Sequence, residues 1–224
     1  MHEPFLPAEP VVRSTRRLPA PRLRLQVLLF LLTCLTTFAA GAVGWEPFLL
    51  GVDEGIAERI AANWPRGLAY AAAVMAVLAA HEAGHFIAAR IHGIPATLPF
   101  FIPVPVLLTG TMGAVIGMEG SRASRRQLFD IAIAGPLAGL VVALPLLAWG
   151  LRTGEAAAAS PFALPPLARW MLAALRPDLG VNGTVVPNAA FMAGWVGLLV
   201  TGLNMLPVSN TGTGMKNGSV AGMP

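Results

Sequence analysis

The sequence predicts an all-α, multi-pass membrane protein with about four transmembrane helices and a re-entrant, β-hairpin-like loop between the second and third. Its 224 residues are 55% hydrophobic and only 12% charged, and the mean hydropathy is +0.67. Soluble domains contain about 25% charged residues. The apolar residues are also collected into runs that can each cover the ~20 residues needed to span a bilayer. These observations indicate one membrane domain with no room for a separate soluble one.

Four apolar runs mark the expected spans, at residues 23–44, 67–91, 127–151 and 187–208. The first run is longer than the apolar core of a typical cleaved signal peptide, and an arm rich in proline and arginine precedes it. We expect that arm, residues 1–22, to be disordered and cytoplasmic.

The arginines predict the orientation, because cytoplasmic loops of membrane proteins are rich in Lys and Arg. Arginines cluster before the first and third runs, whereas the loop before the second run is acidic on balance. We therefore expect a cytoplasmic N-terminus, an in–out–in–out–in path and a prokaryotic plasma membrane. Three arginines on the outer side run against the rule. The two clusters are Arg13, Arg16, Arg17, Arg22, Arg24, and Arg122, Arg125, Arg126; the outer three are Arg152, Arg169 and Arg176.

The net charge of +4 does not indicate nucleic-acid binding. Most of the arginines flank apolar runs, where they act as topology signals. The single cysteine, Cys34, lies within the first run and allows no intrachain disulfide. The partner expected from composition is therefore the lipid bilayer, and the oligomeric state is left open.

Two histidines and a glutamate interrupt the second run at His81, Glu82 and His85. On a helix, the four-residue spacing places the histidines one turn apart on one face, so both imidazoles can reach one metal ion. A zinc ion lowers the pKa of its bound water to about 7, and Glu82 could pass the proton to a leaving amine. This is an HExxH arrangement. Two alternatives remain: a hydrogen-bonded buried polar network, and proton or ion conduction.

The segment 94–120, between the second and third runs, is apolar but contains four prolines and several glycines, which disfavour a regular helix. Irregular backbone persists at membrane depth only where it is buried in protein or lines a wet cavity. We predict a re-entrant loop or β-hairpin that dips towards the active site. The alternative is an ordinary loop at the membrane interface.

Four motifs, in this order, resemble those of the site-2 protease family of intramembrane zinc metalloproteases. The resemblance covers residues 67–208 and implies zinc as the cofactor and membrane proteins as substrates. It implies His81 and His85 as zinc ligands and Glu82 as the catalytic acid and base. It also implies that Asn204 lies beside the metal, and that an unwound substrate segment adds as a strand to the loop before the third span. The motifs are HEAGH (81–85), GTMGAVI (110–116), FDIAIAGPLAG (129–139) and LNMLPV (203–208).

Two features of the spans bear on how the helices meet. Gly135 and Gly139 form a small-xxx-small pair, which lets a neighbouring helix come close. At ~1.5 Å per residue, His85 lies about 27 Å from the start of the second span, and Asn204 lies about 24 Å from Asn188, near the start of the fourth. Both spans run from outside to inside, so these residues should lie at a similar depth towards the cytoplasmic side.

The third zinc ligand is missing from the expected position. Catalytic zinc sites usually have three protein ligands, and the family supplies the third as an aspartate, followed by glycine, eight residues after the asparagine. Here that position is Gly212, followed by Thr213, and the Gly/Asn/Ser-rich segment 209–224 contains no carboxylate. Asp130 and Glu119 are the other candidates.

From the missing ligand we expect a metalloprotease-like domain over residues 23–208, followed by an altered or truncated tail, with impaired hydrolysis of transmembrane substrates. The alternative is an inactive membrane scaffold, a pseudoprotease that binds single-span proteins. A metal-handling or ion-conducting protein is a third class. A transporter would show charged clusters within several spans, whereas only the second span has one.

Overall fold

The computed structural model describes residues 22–45, 55–119, 123–159, 163–180 and 183–205. These residues are mostly helical, with two short antiparallel strand pairs. The helices are α1 (Leu23–Val43), α2 (Ile56–Ile91), α3 (Arg125–Thr153), α4 (Pro166–Leu175) and α5 (Ala189–Met205). Strand β1 (Phe100–Pro103) pairs with β2 (Thr111–Val115), and β3 (Ala156–Ala157) pairs with β4 (Thr184–Val185).

Three of the described helices, α1, α2 and α3, are long and apolar enough to cross a membrane, in agreement with the first three predicted spans. The fourth predicted span corresponds to α5, which is apolar but has only 17 described residues. Its predicted end at residue 208 lies outside the described residues, as do the arm before residue 22 and the tail 209–224. Large apolar side chains project from α1 and α3, as expected of helices surrounded by lipid. They include Leu28, Leu31, Leu35, Phe129 and Val141.

Helix α2 begins at Ile56, eleven residues before the predicted start of the second span. The additional residues include Pro65, which lacks an N–H and clashes with the preceding turn of a helix. The structure accommodates the proline with a kink at Asn63, whose φ of −118° and ψ of 18° are not helical. The Asn63 side chain donates to the carbonyl of Arg59 at 2.9 Å, so the backbone of the preceding turn stays hydrogen-bonded across the kink.

Two arginines of α2 hold the C-terminal end of α1. The last carbonyls of a helix have no partner within it. Here the Arg66 guanidinium donates to Gly41 at 2.9 Å and to Ala42 at 2.8 Å, and Arg59 donates to Val43. These bonds join α1 to α2 as an antiparallel helix pair.

The predicted hairpin between the second and third spans is present as β1 and β2, in which Phe101 opposes Ala114. The buried hydroxyl of Tyr70 on α2 donates to the carbonyl of Thr109 at 3.0 Å. From α1, the Gln26 amide donates to the carbonyl of Leu98 at 2.9 Å. The hairpin is therefore anchored to both α1 and α2.

Helix α5 is tied to the end of α3 at its first turn. Asn188 accepts a hydrogen bond from the backbone N–H of Phe191 at 3.0 Å, which caps the helix, and donates to the carbonyl of Gly150 at 2.9 Å. Further along, Gly194 packs on Leu147. Helices α3 and α5 therefore run antiparallel in close contact, which places the far end of α5 beside the middle of α2.

Candidate metal centre

His81 and His85 lie on one face of α2, as their spacing predicts, and their Nε2 atoms are 3.2 Å apart. Two nitrogens bound to one tetrahedral zinc ion with bonds of about 2.0–2.1 Å are separated by ~3.4 Å. The observed separation is close to that value. The pair can therefore bind one tetrahedral ion with little movement of either side chain.

The His85 ring is held in place from α3. Its Nδ1 lies 2.8 Å from the carbonyl oxygen of Ile131. A carbonyl only accepts, so Nδ1 carries the proton and Nε2 presents a lone pair. Histidines that bind metals usually donate their other ring N–H to such an acceptor. The Ile131 carbonyl thus sets the tautomer that metal binding requires.

Asn204 of α5 reaches the same point from a position 123 residues away in the chain. Its Nδ2 lies 2.7 Å from Nε2 of His81. The His81 Nε2 atom therefore accepts this hydrogen bond and, like Nε2 of His85, presents a lone pair. The two Nε2 atoms lie 3.2 Å apart, and a cation bound between them would use the lone pair of each nitrogen. The donor set therefore fits a zinc ion.

Glu82 follows His81 in the interior of α2. Its side chain is buried, with 4% of its surface exposed, and His81 is 1% exposed. A carboxyl group at the centre of a membrane helix is costly, and such residues mark functional sites. The helix thus buries one carboxyl group at the residue that follows His81.

Comparison with known proteins gives the family. Residues 69–211 match Peptidase family M50, and this range includes both histidines, Glu82 and Asn204. The chain belongs to this family, the site-2 protease family. No solved structure matches the chain.

Among curated relatives, the chain is 35% identical over 145 residues to "Probable zinc metalloprotease EGY1, chloroplastic" of Oryza sativa subsp. japonica. It is 34% identical over 148 residues to "Probable zinc metalloprotease EGY2, chloroplastic" of Arabidopsis thaliana. These matches cover 60% and 63% of the chain but only 25% and 26% of the two relatives. The chain spans about a quarter of the length of these relatives.

The described part of this M50 chain does not supply a third ligand. No group of three or more His, Cys, Asp or Glu side chains that could hold a metal occurs among the described residues. Asp130 pairs instead with His92, with 3.3 Å between Oδ2 and Nε2, and Glu119 joins no such group. Gly212, at the position of the family's aspartate, lies outside the described residues.

The M50 site also depends on two glycines whose sequence pattern predicts only helix packing. A Cβ atom on Gly135 would overlap the His85 ring, and one on Gly139 would lie 3.0 Å from Nδ1 of His81. The close approach of α3 brings the Ile131 carbonyl within reach of His85. One signal in the sequence could have indicated that these glycines pack on the histidine rings. Gly135 and Gly139 are four residues apart, and so are the two histidines.

Proposed function

We propose that this chain carries the catalytic centre of an intramembrane zinc metalloprotease that hydrolyses peptide bonds of transmembrane substrates. The single observation that carries the proposal is the 3.2 Å separation of the two Nε2 atoms of His81 and His85. It occurs within a helix that is long and apolar enough to cross a membrane. Membership of the M50 family supports the same reaction.

In the proposed mechanism, His81 and His85 hold the zinc ion. When bound, zinc supplies a water molecule whose pKa is about 7 and polarises the scissile carbonyl. Glu82 would take up the proton that water releases as its oxygen bonds to the carbonyl carbon, and would deliver that proton to the amine as the C–N bond breaks. Metal binding would use the His81 lone pair that now accepts from Asn204, so the Asn204 amide becomes available to donate to the carbonyl oxygen of the substrate.

The hairpin is the proposed docking site for an unwound substrate segment. Within the described residues, β1 and β2 form a two-stranded sheet, and a peptide can add to an unpaired strand edge by main-chain hydrogen bonds. Met112 and Val115 on β2 are 64% and 53% exposed, so they can contact apolar substrate side chains. The bonds from Tyr70 and Gln26 hold this sheet against α1 and α2.

A second candidate function is a pseudoprotease scaffold that binds single-span proteins without cutting them. The sequence favours it at one position, where Gly212 stands in place of the family's aspartate. Two imidazoles alone hold zinc weakly, and a catalytic zinc site normally has three protein ligands. Zinc content and turnover separate the two functions.

The test uses the purified chain in detergent, its zinc content and its cleavage of a single-span model substrate. We expect substoichiometric zinc and little cleavage in the unmodified chain, and no zinc in His85→Ala. Glu82→Gln is therefore made in a chain whose residues 209–224 are replaced by Gly-Gln-Leu-Asp-Gly and a following helix. There it should retain zinc and lose cleavage. Glu58→Gln, at the exposed start of α2, is the matched control and should behave like the unmodified chain. Cleavage by Glu82→Gln would contradict the role of Glu82, and zinc retained in His85→Ala would contradict the metal centre.

A further inference from the structure

The two histidines differ at their second ring nitrogen. His85 Nδ1 donates to the Ile131 carbonyl, whereas His81 Nδ1 forms no hydrogen bond with any described residue. Because Nε2 of His81 accepts from Asn204, the ring proton is on Nδ1. The Nδ1 atom lies close to α3, since a Cβ on Gly139 would be 3.0 Å from it. His81 thus lacks the acceptor that a ligating histidine almost always has.

Thr201 on α5 has a buried hydroxyl group that lacks a hydrogen-bond partner among the described residues. Its side chain is 5% exposed, and its hydroxyl oxygen has no partner in the described part of the chain. Helical threonines often bond to the carbonyl four residues earlier, as Thr33 and Thr37 do on α1. Thr201 does not, so a hydroxyl that can accept a hydrogen bond is buried without one.

Helix register places this hydroxyl in the layer of the His81 ring. A Cβ on Gly197 would contact both Val77 of α2 and Ala143 of α3. Helix α5 runs parallel to α2 and antiparallel to α3. One turn further along, residue 201 is therefore level with residue 81 and residue 139.

Two independent contacts agree with this register. Gly139 lies against His81 on one side, and Asn204, three residues after Thr201, touches Nε2 of His81 on the other. Residues three apart share a helix face. The unpaired N–H of His81 and the unpaired hydroxyl of Thr201 therefore occupy the same layer between α2, α3 and α5.

We propose that Thr201 is a positioning residue for His81, and that its hydroxyl accepts the hydrogen bond of the His81 Nδ1–H when Nε2 binds the metal. Such bonds are often long before the ligand is bound and tighten afterwards. The inference rests on the proposed metal centre. In this proposal the Thr201 hydroxyl of α5 accepts the Nδ1–H bond of His81, just as the Ile131 carbonyl of α3 accepts that of His85.

The test measures Co²⁺ affinity, by competition with a chelator, and the visible spectrum of the Co²⁺ form, in the full chain in detergent. Thr201→Val keeps the side-chain shape and removes the acceptor. We expect it to weaken Co²⁺ binding about 10- to 100-fold and to change the spectrum. Thr201→Ser keeps the hydroxyl and should bind nearly as well as the unmodified chain. Thr33→Val is the matched control, because it removes a buried hydroxyl that bonds within α1.

A second matched pair covers the case in which the valine variant does not fold. Thr201→Ser and Thr201→Ala differ only by the hydroxyl oxygen, so the alanine variant should bind Co²⁺ more weakly than the serine variant. The role of Thr201 would be overturned if the valine and alanine variants both bound Co²⁺ as tightly as Thr201→Ser. It would also be overturned if Thr33→Val lost as much Co²⁺ affinity as Thr201→Val. Neither result would contradict the metal centre. If the unmodified chain bound no Co²⁺, the proposed metal centre would fall, and this inference with it.

Discussion

Gly135 of α3 packs so closely on His85 that any Cβ atom at that position would overlap the imidazole ring. Gly135→Ala should therefore push the ring away and break its hydrogen bond to Ile131. We expect loss of metal binding comparable to that of His85→Ala. Overpacking of this kind also destabilises a protein by about 1–3 kcal/mol. Metal content and thermal unfolding in detergent measure the two effects.

Gly139→Ala should have a smaller effect, because its Cβ would lie 3.0 Å from Nδ1 of His81 and a small shift relieves the contact. Gly202→Ala on α5 is the control, since nothing lies within 4 Å of a Cβ there. It should bind metal like the unmodified chain. If Gly135→Ala bound metal as well as Gly202→Ala, the packing of α3 on His85 would be wrong.

We predict that the hydrogen bond from Tyr70 to the Thr109 carbonyl holds the hairpin in place. Tyr70→Phe leaves a buried carbonyl unsatisfied, which costs about 1–3 kcal/mol. We expect faster backbone hydrogen exchange in β1 and β2, with metal binding unchanged. Thr153→Val, at the exposed end of α3, should leave exchange in the hairpin unchanged. Unaltered exchange in Tyr70→Phe would show that the hairpin does not depend on this bond.

The arginine clusters predict the topology, and single cysteines in a Cys34-free variant can test it. Cysteines at positions 54 and 160 should react with an impermeant reagent in intact cells, because both positions fall in predicted outer loops. Cysteines at 14 and at Ser124, the N-cap residue of α3, should not react. Labelling of position 124 from outside would reverse the predicted orientation.

The missing aspartate in segment 209–224 predicts the zinc content and the cleavage activity of the unmodified chain. With Gly212 where the family has an aspartate, purified protein should contain substoichiometric zinc and show little or no cleavage. Gly212→Asp should restore zinc only in part. Replacement of residues 209–224 by Gly-Gln-Leu-Asp-Gly and a following helix should restore more. Full zinc occupancy and strong cleavage by the unmodified chain would show that another residue completes the site.

The sequence by itself determined the features that depend on neighbours in the chain. Apolar runs predicted α1, α2 and α3, and the four-residue spacing predicted that His81 and His85 face one point. The prolines and glycines of segment 94–120 predicted the hairpin. Distance along the spans, together with the family resemblance, predicted that Asn204 would lie at the depth of the histidines, and the two side chains do meet. Hydropathy, helical period and proline geometry act over a few residues, so local patterns reveal them.

Apart from Asn204, only the tertiary structure decided which groups surround the two imidazoles. The bond between His85 and Ile131 joins residues 46 apart, and the acceptor is a backbone carbonyl, which every residue has. Asp130 shows the same limit, because sequence left it as a possible ligand and packing directs it to His92. Such contacts depend on how each helix is rotated about its axis and how closely it packs. Those two quantities are set by the fit of α2, α3 and α5 together, and no single helix encodes them.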